Sequence, residues 1–86
     1  MSSKHFQICA VANGPFEAQP ITEELYNQII AEDSDNFDYT GQALIGNLEV
    51  SYYVYCGDLI NIALPVAITA EELLSYSDNI ETLYDY

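Results

Sequence analysis

Positive charge is almost missing from this chain: Lys4 is its only lysine or arginine, set against fourteen aspartates and glutamates, for a formal net charge of -13. Salt bridges within the chain therefore leave most carboxylates unneutralised. With no basic patch, direct binding to nucleic acid or to an anionic membrane surface is not expected. Histidine is represented by His5 alone and cysteine by Cys9 and Cys56. Thiols so few, and set in apolar stretches, do not make a disulfide scaffold; they read as reduced side chains packed as small hydrophobes, the usage of a cytoplasmic protein. No stretch approaches the roughly eighteen apolar residues of a membrane span, and the Met1-Ser2-Ser3-Lys4 start leads into no signal-peptide core. Glycine is too scattered for a phosphate-cradling loop, and a phosphate would meet a negative surface.

These absences also weigh against catalysis. The one nucleophile and base combination is His5 with a cysteine, and Cys9, four residues along the same strand, stands over about ten ångströms away on the same face. Carboxylates are plentiful but lack a basic or polar partner set around a pocket, so no enzyme and no cofactor is expected. Asn36, Asp38, Thr40 and Gly41 match the first half of an EF-hand loop. The twelfth position, however, falls on Asn47 where a bidentate glutamate is needed, and no dedicated metal site is expected.

What is present is a foldable apolar half. The chain has 86 residues, 50% of them hydrophobic, which makes a single domain over residues 1–86. Its clearest signal runs from Leu48 to Leu64. Leu48, Val50, Tyr52 and Val54 alternate with Glu49, Ser51, Tyr53 and Tyr55, and a second run, Leu59 to Leu64, follows. Side-chain parity fixes the connection. A two-residue turn at Gly57-Asp58 would set Asn61 opposite Val54 and scatter apolar groups over both faces. A three-residue loop, Cys56-Gly57-Asp58, pairs Tyr55 with Leu59 and aligns Val50, Tyr52 and Val54 with Leu64, Ile62 and Ile60.

His5 to Ala12 reads as a first, interior strand closed by a turn at Asn13-Gly14-Pro15, and Pro15 to Pro20 as a connector. Thr22, Glu23 and Glu24 mark a helix start, with Leu25, Tyr26, Ile29 and Ile30 on one stripe and an end near Ala31 or Glu32. Glu32 to Tyr39 reads as an acidic loop. Gln42 to Ile45 forms a short strand, and a Gly46-Asn47 turn pairs Ile45 with Leu48 and Ala43 with Val50. Thr69 with Glu72 makes a capping box for a short second helix. Ser77 to Tyr86 is either another helical turn or a loosely docked segment. The expected fold is α+β: an antiparallel sheet of three to four strands with two helices, in the order β-α-β-β-β-α.

The acids fall in two groups, Glu32, Asp33, Asp35 and Asp38, and then Glu71, Glu72, Asp78, Glu81 and Asp85. Acids three or four apart on a helix, or two apart in an extended segment, stand roughly 5 to 7 Å apart, comparable to phosphates along a nucleic acid strand. Tyr39 and Tyr76, among several interleaved tyrosines, offer flat surfaces for a partner's arginines. The plainer alternative is a set of solvated helix faces with tyrosines finishing the core.

In size, charge and composition the chain resembles the small acidic phage-encoded inhibitors that imitate DNA, such as anti-CRISPR proteins, restriction inhibitors and the uracil-DNA glycosylase inhibitor. The likeness covers the whole chain, is one of class, and carries over no individual residue. It implies an inhibitor that occupies a Lys/Arg-lined DNA or PAM site of a Cas effector complex, or of another basic DNA-binding protein, in a bacterial host cytoplasm. A bacterial immunity protein or antitoxin that neutralises a basic nuclease toxin would use the same electrostatics. A third alternative is an assembly protein whose Tyr53 and Tyr55 face forms the seam of a homodimer.

Overall fold

The computed structural model describes residues 2–10, 16–55 and 59–83. Among these, eight elements follow one another: β1 (Ser2–Cys9), β2 (Glu17–Pro20), α1 (Glu23–Glu32), β3 (Phe37–Ile45), β4 (Leu48–Tyr55), β5 (Leu59–Thr69), α2 (Ala70–Leu74) and α3 (Ser77–Leu83). The strands form one antiparallel sheet in the order β2-β1-β5-β4-β3. The class is α+β as expected, with five strands and three helices among the described residues in place of three to four and two.

Register follows the parity argument. Tyr55 lies opposite Leu59, Val54 opposite Ile60 and Tyr52 opposite Ile62; the ladder ends at Ser51 opposite Ala63, one step short of Val50 and Leu64. At the other hairpin, Ile45 faces Leu48 and Ala43 faces Val50, and Gly46 takes the positive φ of 62° that the tight turn needs. Several expected features lie outside the described residues: the Cys56-Gly57-Asp58 loop, the Asn13-Gly14-Pro15 turn, the Val11-Ala12 end of the first strand, and Tyr84, Asp85 and Tyr86.

Four boundaries differ from expectation. The supposed connector holds β2, a four-residue edge strand that pairs with β1 from Cys9↔Glu17 to Phe6↔Pro20; at an outer edge a terminal proline forfeits no inner ladder bond. The acidic loop ends sooner than its composition implied, because β3 starts at Phe37. A bulge there opposes Phe37 to Tyr55 and Tyr39 to Val54, leaving Asp38 as the extra residue and breaking the alternation. β5 continues past Pro65 to Thr69. Between Ala63 and Ile68 its ladder with β1 is interrupted, so the proline sits where no amide is required. β1 starts at Ser2 in place of His5 and ends at Cys9, ahead of Ala10. The Ser77 segment takes the first of its two expected forms, a helix, α3.

Cross-strand partners share a face, so the sheet has two distinct sides. One carries Phe6, Ile8, Val50, Val54, Ile60 and Ile62, all essentially without exposure, and is closed by Leu73 of α2 with Ile80 and Leu83 of α3. The other carries His5, Gln7, Tyr53 and Asn61 and is crossed by α1. Tyr26 is the one buried residue of that helix. Its ring lies 4.7 Å from that of His5 and 6.2 Å from that of Tyr53, and Phe37 packs 5.1 Å from Tyr53. Ile29 and Ile30 are half-buried, whereas Leu25, expected on the same stripe, is exposed. The result is three layers, α1, sheet, and α2 with α3.

Candidate partner-binding surface

The first acidic group is built around the end of α1. Thr22 caps the start, its Oγ1 accepting from the Leu25 amide at 3.0 Å, with Glu23 and Glu24 in the first turn, where the free amides favour negative charge. At the other end the arrangement inverts. Asp33 is the C-cap and its amide donates to the Ile29 carbonyl at 2.9 Å; the Asn36 amide then donates to the Asp33 carbonyl at 2.8 Å, closing a tight turn. Glu32, Asp33 and Asp35 thus crowd the negative end of the helix, whose last turn holds no cation. Glu32 accepts a long 3.3 Å bond from the Gln28 amide group. Asp38 follows at the β3 bulge, exposed at the sheet edge. Glu32, Asp35 and Asp38 are exposed and Asp33 is half-buried, so the turn presents its carboxylates to solvent.

The second group sits where local chemistry welcomes it. Thr69 Oγ1 accepts from the Glu72 amide at 3.1 Å, and Glu71 and Glu72 occupy the first turn of α2. Asp78 occupies the first turn of α3, and Glu81 lies one turn on. Negative charge at a helix start is stabilising, so helix architecture alone accounts for Glu71, Glu72 and Asp78. The groups belong to layers on opposite sides of the sheet. Asp85, assigned to the second, lies outside the described residues.

The two tyrosines assigned to the surface serve the interior as well. Tyr76 joins α2 to α3 and its ring packs against Gly46; a Cβ there would come within 2.6 Å of the ring, which with the positive φ explains the glycine. Tyr39 packs edge-on to Tyr52, ring centroids 5.8 Å apart, and its hydroxyl is buried. Every described tyrosine is half-buried or buried. No signal in the sequence separates these roles, because both contacts join segments distant along the chain.

Twelve of the fourteen acids are among the described residues, and all but Asp33 are exposed. Glu49 is exposed but belongs to neither acidic group, and Leu44 directly opposite it is at 59% exposure. Their signal was the alternation itself, which sends both to the same outer face.

Residues 36–41, compared above with a calcium loop, run through the turn into extended β3, with Thr40 and Gly41 on opposite faces. Among the described residues, no group of three or more histidine, cysteine or acidic side chains is arranged to hold a metal ion. No helix among them is long and apolar enough to cross a membrane. The chain matches no protein-family model, no curated protein and no solved structure.

Proposed function

We propose that the protein is a stoichiometric inhibitor that imitates DNA, occupying a Lys/Arg-lined DNA or PAM site of a basic DNA-binding protein, with a Cas effector complex as the leading target class. The observation that carries this reading is the density of unpaired negative charge. The body measures 30 × 26 × 20 Å and bears a net charge of -13. A duplex about 30 Å long carries about 18 phosphate charges at one per ~1.7 Å. The protein therefore offers a cationic groove roughly 70% of the charge of such a duplex. It requires no turnover.

The Glu32 to Asp38 turn supports the reading most strongly. Its carboxylates gather where the helix dipole opposes them, and among the described residues only the long Gln28–Glu32 bond offsets that placement. Association is steered by charge, fast at low salt and weaker as salt rises. Carboxylates dominate the contact; the tyrosines contribute only the exposed parts of rings otherwise engaged in packing.

Capture from bacterial lysate at two salt concentrations tests this. The partner retained at low salt and released at high salt is expected to be a DNA-binding protein that loses its DNA when the inhibitor is added. A captured partner without a cationic surface would refute the proposal.

A further inference from the structure

The two edges of the sheet are unequal. β2 is four residues long, ends in Pro20 and packs beside α2, where Pro20, Thr69, Ala70 and Glu71 line one groove. Such an edge is closed to further strands by brevity and by proline. β3, at the opposite edge, is nine residues long, contains no proline or lysine, and is bulged only near its start, at Asp38.

The outer side of β3 carries unused backbone groups. A two-residue turn makes Ile45 and Leu48 a hydrogen-bonded pair, so bonded pairs recur at Ala43 with Val50 and at Gly41 with Tyr52. The N–H and C=O groups of Thr40, Gln42 and Leu44 consequently point away from β4, and no strand lies beyond them among the described residues. Beside this row is a shallow depression of ≈ 190 Å³ lined by Gln42, Ala43, Leu44 and Glu49.

We infer that the β3 edge accepts an extended, lysine- or arginine-bearing strand of the target protein, adding a sixth strand to the sheet. Main-chain bonds to Thr40, Gln42 and Leu44 supply the pairing, and Leu44 the apolar contact. Charge selects the occupant. Asp35 and Asp38 stand at one end of the edge. At the other, a long cationic side chain opposite Leu44 reaches toward Glu49, one strand spacing of about 4.8 Å further in. A second copy of the chain would bring another net charge of -13 to the same edge, so the edge that is open to a cationic strand is closed to its own kind. This inference rests on the proposal that the target is cationic, and it deepens it: the target contributes a strand as well as a groove.

The test uses the full chain and a defined probe, a decapeptide of alternating lysine and valine, with hydrogen exchange of individual amides read by NMR. Exchange at Thr40, Gln42 and Leu44 is expected to slow by about tenfold or more when the peptide is saturating. The same peptide N-methylated at every backbone nitrogen keeps its charge but not its donors, and is expected to protect none of them. Gln42→Pro removes one outward donor without touching the β3–β4 ladder, and is expected to weaken peptide binding about tenfold. Equal protection by the N-methylated peptide, protection at β2 instead, or protection that appears without peptide as protein concentration rises would each overturn the inference. No DNA-binding target enters this experiment, so its failure leaves the charge-imitation proposal standing, and the failure of that proposal would show only in the capture assay.

Discussion

The two sides of the sheet are built on different terms. Beneath α2 and α3 lies an aliphatic core in which Leu73 and Ile80 have no exposure, and the nearby acids stand at helix starts, where they are welcome. Beneath α1 lies a polar and aromatic layer. Only Tyr26 of that helix is buried, Asn61 is fully buried with neither side-chain oxygen nor nitrogen paired, and acids crowd the helix end that disfavours them. One side holds the molecule together. The other tolerates unfavourable placements, which is what the proposed role as a partner-binding surface would require.

The largest expected contrast is in packing. Leu73→Ala should cost about 2–5 kcal/mol of unfolding free energy, whereas Ile29→Ala, on the half-buried face of α1, should cost under about 1 kcal/mol. Denaturant titration measures both; equal losses would erase the distinction between the layers. Next in size is Asn61. Replacing it with leucine, of similar shape, removes an orphaned amide and should stabilise the fold by about 1–3 kcal/mol. A loss of stability would mean that the amide is satisfied in solution.

Smaller effects are expected at the helix ends. The pair Glu32→Gln with Asp33→Asn should stabilise relative to the pair Glu71→Gln with Glu72→Gln, by about 0.3–1 kcal/mol per site. Each pair removes the same two charges from the total, so the difference in melting temperature reports position alone. The opposite order would remove the dipole argument. Last comes an alkaline signature. Burial, and then the neighbouring Tyr53, push the Tyr26 phenol up to about 12 from its ordinary 10.0. The folded state thus holds this proton more tightly than the unfolded state does. Its contribution is complete below pH 10 and is lost as pH rises through 12. Tyr26→Phe should flatten that part of the stability profile; an unchanged profile would show that other groups govern it.

Much of the fold was legible because burial imposes a period. The alternation from Leu48 to Leu64 carried both the register and the assignment of faces, and Thr22 and Thr69 announced two helices by capping chemistry that needs no tertiary context. Legibility failed where partners are remote. Four residues ending in proline cannot declare themselves a strand until β1 lies alongside. The bulge at Asp38 hid the start of β3 by breaking the alternation, and the run read as Leu59 to Leu64 extends through Pro65 because the gap in pairing that accommodates the proline is made by β1. The acidic groups were visible as sequence. That one opposes a helix dipole while the other caps helices needed the exact helix ends, and the inward packing of Tyr39 and Tyr76 needed the assembled sheet.

The most direct measurement is competition with DNA. Wild-type protein and a variant carrying Asp33→Lys, Asp35→Lys and Asp38→Lys are titrated against the captured partner bound to labelled duplex, at low and at high salt. Wild type is expected to displace the duplex at low salt and less so at high salt, and the folded variant to be weaker by on the order of 100-fold, equivalent to roughly 3 kcal/mol. Displacement that ignores both salt and the reversal of the turn, or a duplex that stays bound at saturating wild type, would contradict it.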